Sequence, residues 1–119
     1  AMDGLYATMT VQHTYLDEAS QPIRFWATKY KTKFNEDPTV FSVYGYDIID
    51  AFTRAADKAG PNLTPDSCIK AMDTMVIPPD MFGSAQATFS PTKRLGSNLS
   101  RLSQIQDSKW KVVSDYVKE

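Results

Sequence analysis

The stretch FSVYGYDIIDAFTRAADKAG, residues 41–60, decides the fold because its apolar residues recur at helical spacing. Steps of three and four residues place these side chains along one stripe of an α-helix. The members of this central stripe are Phe41, Tyr44, Ile48, Phe52, Ala55 and Ala59. Further apolar residues flank the stripe, which predicts a helix buried over much of its circumference. Gly45 predicts a close neighbour, either a backbone or a ligand, because glycine is unfavourable inside a helix.

Composition places the chain among ordinary globular proteins. Its 119 residues are 42% apolar and 23% charged, which suits one domain. The net charge of -1 argues against nucleic acid or anionic lipid as the main partner. The apolar runs are too short to span a bilayer, and no signal peptide is expected in this chain. Cys68 is the only cysteine, so an internal disulfide is excluded.

Two further helices are predicted on either side of the central one. Before it, apolar residues at helical spacing run through 23–34, preceded by a start signal at Ser20 and a proline at position 22. Thr39 can then cap the central helix, which ends at Gly60-Pro61. After it, Thr64 precedes a proline and an acidic residue, which predicts a third helix from Pro65 to about Met75.

Strands are predicted at both ends of the chain. Residues 4–10, GLYATMT, are rich in strand-forming residues. Beyond Gly83 the period becomes alternating over 85–89, and two more strands follow at 101–106 and 109–114 around an Asp107-Ser108 turn. The predicted fold class is therefore α/β, with a leading strand, three helices and a small terminal antiparallel β meander.

Catalytic chemistry is not supported by the residue pattern. His13 and Asp17 could suggest a base and its orienting partner, but no nucleophile motif accompanies them. The five glycines are scattered, so no phosphate-binding loop is formed, and no cluster has metal-ligand spacing. We expect no enzyme activity, no metal and no cofactor.

Five segments in order resemble the C-terminal third of type I periplasmic solute-binding proteins, the leucine/isoleucine/valine-binding family of ABC importers. The segments are GLYAT, YKTKFNEDP, VYGYDIIDAFTRAADKAG, ATFSPTKRLGSN and QIQDSKWKVV, and they cover essentially the whole chain. Asn35 stands where the family commonly has glycine, and it tolerates a positive φ. Ser108 stands where the family's turn is usually Asp-Gly, which makes the hairpin turn less favourable.

The resemblance implies part of a two-lobed α/β protein about three times this long, with ligand held between the lobes. Residues 1–82 are then expected to complete one lobe, and residues 83–119 to form a meander that crosses to the other. The residue pattern agrees, because a widely apolar helix normally lies against a sheet and only one strand precedes it. We therefore expect a C-terminal fragment, or a chain whose missing strands come from a partner.

The resemblance also implies where a ligand would bind. In the family an aromatic residue near the start of the helix equivalent to 41–59 packs on the ligand, which places the site at Phe41 or Tyr44, with Tyr46 ranked lower. The implied ligand is a small solute such as an amino acid or aromatic acid. The implied partner is the membrane permease of an ABC importer, in the periplasm or outside the cell. The alternative for Phe41 and Tyr44 is a role in the core.

A second hypothesis is a self-contained α/β protein-interaction module with no small-molecule ligand. The isolated chain is also expected to form a homodimer, because an uncovered stripe would forfeit several kcal/mol out of a total stability of about 5–15 kcal/mol. The reading frame that carries this chain distinguishes the two functions. About 200 or more preceding residues with alternating strand and helix patterns and a lipobox or signal peptide would indicate the first, and a natural start at Met2 would favour the second.

Overall fold

A computed structural model describes residues 2–118. The chain begins with strand β1 (Tyr6–Met9), continues through helices α1 (Gln21–Phe34), α2 (Val40–Ala59) and α3 (Pro65–Asp73), and ends in five short strands. These strands are β2 (Val76–Ile77), β3 (Ala87–Thr88), β4 (Leu99–Gln106), β5 (Lys109–Val112) and β6 (Val117–Lys118). The predicted class, three helices with small antiparallel sheets, is confirmed.

The predicted helix ends are confirmed by their local hydrogen bonds. Asn35 closes α1 in the left-handed region, with a φ of 56°, and its N–H donates to the Lys31 carbonyl at 2.8 Å. At the start of α3, the Ser67 N–H donates to Thr64 Oγ1 at 3.1 Å, while the Thr64 N–H donates to Ser67 Oγ at 2.9 Å. This reciprocal capping satisfies two backbone donors that a helix leaves without partners.

The main sheet joins the two ends of the chain. Strand β4 lies between β1 and β5, and all pairs are antiparallel, with Met9 opposite Arg101 and Gln106 opposite Lys109. Strand β6 pairs with the beginning of β4. The pairing of β1 with β4 crosses the expected boundary between residues 82 and 83, and the division into two lobes stays a prediction.

The predicted meander is only partly correct. Strands β4 and β5 form the predicted hairpin, and Asp107 and Ser108 both have positive φ in its turn. Strand β3, however, does not precede them in one sheet. It pairs with β2, a strand at 76–77 that the sequence did not predict. The third helix was expected to reach about Met75, but α3 stops at Asp73 and the chain turns back as β2.

The core lies where α1, α2 and the turn at Phe82 meet. Its buried members are Val11, Ile23, Val43 and Phe82, and Trp26, Tyr44 and Met81 pack against them. On α2 the fully buried residues are Val43, which lies outside the central stripe, and Ala55, which belongs to it. The prediction of a helix buried over much of its circumference is wrong for this chain alone, since Phe41, Ile48 and Phe52 are 77%, 67% and 52% exposed.

The shape of the molecule explains why the stripe is uncovered. The chain extends over 51 × 36 × 19 Å, with a radius of gyration of 16.3 Å, whereas a compact domain of this length has about 13.5 Å. Its accessible surface is 7937 Å², against about 6,500 Å² for a compact monomer of this mass. In this thin slab, within residues 2–118, the α2 residues Phe41, Ile48 and Phe52 stay largely exposed to water.

Candidate functional site

The first turns of α2 present two of the predicted aromatic residues on one exposed surface. The Phe41 and Tyr44 rings lie with centroids 6.0 Å apart in an edge arrangement. Phe41 is 77% exposed, whereas Tyr44 is half-buried because one side of its ring packs on the core. Phe41 is therefore not a core residue of this chain, and Tyr44 has both a packed side and an accessible side.

Tyr46 lies elsewhere on α2. Its ring packs edge-on against Trp26 and Phe82, at centroid distances of 6.0 and 5.6 Å. These contacts belong to an aromatic cluster over the core, although the Tyr46 side chain remains partly exposed. The structure therefore brings Phe41 and Tyr44 together and separates Tyr46 from them.

The start of α2 also offers backbone donors. Thr39 precedes the helix in an extended conformation, and its N–H donates to Ser42 Oγ at 3.1 Å. The N–H groups of Ser42 and Val43 donate to the Thr39 carbonyl at 3.0 and 3.3 Å. The N–H groups of Val40 and Phe41 precede these bonds, and the helix dipole is positive here. An anionic group beside Phe41 would find both features favourable.

A cleft of about 460 Å³ extends from Tyr44 along α2. Its other wall is the segment from Ile77 to Phe89, and its lining is mostly apolar with acidic groups at one side. Burial, followed by the hydrogen bond and negative charge of Asp80, raises the pKa of Asp47 to about 7. Arg54 at the rim is held by Asp50, with 2.7 Å between Nε and Oδ2.

Residues at the junction of α2 and the sheet were missed by sequence reasoning. Thr10 Oγ1 lies 3.2 Å from the Tyr44 hydroxyl, and the Tyr116 hydroxyl donates to the carbonyls of Thr10 and Gly83. Arg101 lies over the Tyr116 ring, with 4.8 Å from Cζ to the centroid. These residues are far apart in sequence and belong to no local motif, so only the fold shows their proximity.

The suggested pair of His13 and Asp17 is not formed. His13 stacks on Tyr15 with ring centroids 4.5 Å apart, and burial lowers the pKa of His13. Asp17 instead pairs with Lys109, whose hydrogen bond and charge lower the pKa of the carboxyl. The two side chains therefore show no arrangement of a base and its orienting carboxylate.

Two further properties of the described residues concern metal ligands and membrane-spanning helices. Among residues 2–118, no group of three or more His, Cys, Asp or Glu side chains could hold a metal ion. No helix in that same part of the chain has the length and apolar character needed to cross a membrane.

The chain resembles known proteins in sequence and in fold. A sequence model of the periplasmic binding protein family matches residues 1–109. A periplasmic binding protein from Burkholderia mallei superposes with a TM-score of 0.72 and 21% identity, over 98% of this chain and 31% of that one. A solute-binding protein of an ABC transporter from Rhodopseudomonas palustris BisB5, in complex with 3,4-dihydroxybenzoic acid, gives 0.70 and 19%, with the same coverage.

A third structure, from Rhodospirillum rubrum, is provisionally assigned as a branched-chain amino acid ABC transporter. It superposes with a TM-score of 0.63 at 19% identity, over 94% of this chain and 31% of that one. No curated protein sequence gives a significant match. The chain spans about a third of the length of the structures that it resembles. Because the family's sequence model covers most of the residues, this chain belongs to the periplasmic binding protein family.

Proposed function

We propose that the chain is part of the solute-binding component of an ABC importer, and that its ligand is an amino acid or another small organic acid. The observation that carries this proposal is the exposure of Phe41 beside Tyr44 at the start of α2. An aromatic ring that is mostly in water gains stability when a ligand or a facing lobe covers it.

The chemistry of this surface fits an organic acid. The two rings supply apolar contact, and the N–H groups and dipole of the first turn favour a negative charge. The ligand bound to the R. palustris protein, 3,4-dihydroxybenzoic acid, has both an aromatic ring and a carboxylate. The same combination of groups suits the start of α2. The role is binding, without chemical conversion of the solute.

Location and partners follow from the same proposal. A solute-binding component delivers its ligand to a membrane permease, and the family name indicates a periplasmic location. Because the chain spans a third of its structural relatives, the opposing wall of the site is proposed to come from residues outside this chain. We expect those residues to cover α2 as well.

Calorimetric titration of the complete protein tests the proposal, with a panel of amino acids and aromatic acids. Phe41→Ala should weaken binding about 10- to 100-fold, because an aromatic wall contributes about 1.5–3 kcal/mol. Phe25→Ala is the matched control, since Phe25 is equally exposed at 70% but lies on α1. If no member of the panel binds, or if both variants bind as tightly as the wild type, the proposed site is wrong.

The uncovered α2–α3 surface favours a second candidate, a protein-interaction module. Its exposed apolar residues are Phe41, Ile48, Phe52, Leu63 and Ile69. Phe52, Leu63 and Ile69 line one shallow groove, so the surface is continuous between the helices. In the isolated chain we propose that a second copy covers this α2–α3 surface. A complete protein that is monomeric and binds a solute would leave only the first candidate.

A further inference from the structure

Arg101 has an unusual environment for an arginine. It lies in β4, opposite Met9 of β1, where the sheet meets the turn at Gly83. Two of its guanidinium nitrogens, Nε and Nη2, are buried and have no hydrogen-bond partner among residues 2–118. The salt bridges within that part of the chain involve other cations. A buried cationic donor left without an acceptor is costly, so this arrangement calls for an acceptor.

The two nitrogens without partners define the shape of that acceptor. Nε and Nη2 lie on the same edge of the planar guanidinium, and each directs an N–H group away from that edge. This pair of parallel donors matches the two oxygens of a carboxylate in a bidentate arrangement. A single carbonyl oxygen could accept from both donors only through two bent and weaker hydrogen bonds.

The guanidinium lies beside Gly83 and the Gln12 amide. Arg101 Cζ and Gln12 Nε2 lie 3.2 and 3.3 Å from the position that a side-chain Cβ on Gly83 would occupy, so both groups use the space that glycine leaves free. The Gln12 amide nitrogen is another donor. The Tyr116 hydroxyl already donates to the Gly83 carbonyl, and burial raises the pKa of Tyr116, which keeps this hydroxyl protonated.

A continuous row of contacts connects this place to the aromatic surface of α2. Phe41 packs on Tyr44, and the Tyr44 hydroxyl lies 3.2 Å from Thr10 Oγ1. The Thr10 carbonyl accepts from Tyr116 at 3.4 Å, and the Tyr116 ring lies beneath Arg101. The row thus has aromatic contact at one end and a cationic donor edge at the other.

We propose that the Nε–Nη2 edge of Arg101 binds the carboxylate of a small organic acid. This inference rests on the proposed function and deepens it, because it assigns the ligand's carboxylate to Arg101 in place of the first turn of α2. Gln12 is half-buried and its Nε2 lies beside the same Gly83 position as the guanidinium, so its side chain would have to rotate for a ligand to reach the edge. Arg101 then determines the preference of the site for acids over uncharged solutes.

A carboxylate within the chain is the competing occupant. Asp80 lies in the turn that leads to Gly83, and its Oδ1 accepts from the N–H groups of Phe82 and Ser84 at 2.9 and 3.4 Å. These bonds hold the Asp80 carboxylate in its own turn, and none of the salt bridges among residues 2–118 joins it to Arg101. The experiment must nevertheless distinguish an external acid from Asp80.

The test uses the complete protein that carries this chain, with benzoate and its uncharged counterpart benzamide as probes. In ¹H–¹⁵N NMR spectra, the Arg101 Nε–H signal is identified by its loss in Arg101→Lys. This substitution keeps the positive charge and removes the pair of parallel guanidinium donors. Benzoate should shift this signal and benzamide should not. Calorimetry should show benzoate binding about 10- to 100-fold weaker in Arg101→Lys, with benzamide unchanged. Arg94→Lys is the matched control, because Arg94 is exposed and paired with Asp73.

Each outcome decides the inference. If benzoate binds but leaves the Arg101 signal and the affinity of Arg101→Lys unchanged, the Arg101 assignment fails while the proposed function stands. If only uncharged solutes bind, the Arg101 assignment fails together with the proposed class of ligand. If no solute of either kind binds, both proposals fail. If Asp80→Asn shifts the Arg101 Nε–H signal of the ligand-free protein, Asp80 occupies the edge and the inference is overturned. The wild-type titration remains decisive even if Arg101→Lys does not fold.

Discussion

The hydroxyl oxygens of Tyr44 and Thr10 lie 3.2 Å apart, and this contact joins α2 to the residue that follows β1. The bond links the helix that carries the aromatic surface to the sheet that carries Arg101. Tyr44 is thus a structural contact and a candidate ligand contact at once, and the two roles can be separated by substitution.

Tyr44→Phe should lower the free energy of unfolding by about 0.5–1.5 kcal/mol, the usual contribution of one hydrogen bond. The ring remains, so solute affinity should fall less than in Tyr44→Ala. Urea denaturation measures the first effect and calorimetry the second. Thr10→Val in the Tyr44→Phe background should add little, because the bond is already absent. Full additivity of the two substitutions would show that the hydroxyls do not interact.

Alanine substitutions at two glycines should change the stability of the protein in opposite directions. Gly83 has a φ of +74°, and an added Cβ would collide with the Arg101 guanidinium, so Gly83→Ala should destabilise the protein by about 1–3 kcal/mol. Gly45 has no atom within 4 Å of an added Cβ in the described residues, so Gly45→Ala should stabilise the isolated chain by about 0.5–1 kcal/mol. Thermal unfolding of the two variants and the wild type measures both changes in stability. A destabilising Gly45→Ala would indicate a neighbour that covers α2 in solution.

Local patterns predicted the helices well, because their start and end signals lie within a few residues of each other. Asn35 and Thr64 adopt the expected end and cap geometries. The buried side of α2 was not predicted, since the widest apolar stripe is covered only if a sheet faces it. The partner of β3 was missed because β2 is two residues long, and a strand that short has no detectable period. Arg101 approaches Gly83 through the pairing of β4 with β1, a non-local contact that no motif encodes.

A glycine at position 108 should stabilise the β4–β5 turn. Asp107 and Ser108 have φ values of 52° and 64°, the pattern of a type I′ turn, in which glycine is favoured at the second position. Ser108→Gly should raise the free energy of unfolding by about 0.5–1 kcal/mol. Its backbone N–H still donates to Asp3 Oδ1. Ser100→Gly, in the extended backbone of β4, is the control and should destabilise. Equal effects of the two changes in a denaturation series would contradict the assigned turn.

Asp47 should make stability fall as pH rises. Its carboxyl has a pKa near 7 in the folded chain, raised first by burial and then by Asp80, against an ordinary value of 3.8. Between these values the folded state binds more protons than the unfolded state, so stability decreases from pH 4 to pH 7. Asp47→Asn should flatten this slope and raise the melting temperature most at pH 8. Asp57→Asn, on the exposed side of α2, should leave the slope unchanged. An identical pH dependence in Asp47→Asn and wild type would exclude this role for Asp47.

Phe52 should control self-association of the isolated chain. The accessible surface of 7937 Å² exceeds that of a compact monomer by about 1,500 Å², which is more than the roughly 800 Å² that each partner buries in a standard protein interface. Phe52 lies 52% exposed at the centre of the α2–α3 surface, so docking two such surfaces about a two-fold axis would bury it twice. Sedimentation velocity over a concentration series should therefore show a dimer that Phe52→Asp weakens.

The matched control is Phe25→Asp, which places the same charge on an exposed phenylalanine of α1 and should leave the dimer intact. If the chain stays monomeric, the α2–α3 surface should instead bind a hydrophobic dye, because an exposed apolar surface that no second copy covers is accessible to the dye. Phe52→Asp should then reduce the fluorescence of the bound dye. In the complete protein both signals should disappear, since residues outside this chain then cover the surface. A wild-type chain that neither dimerises nor binds dye would show that α2 is already covered, and the missing wall of the ligand site would have to be sought within these 119 residues.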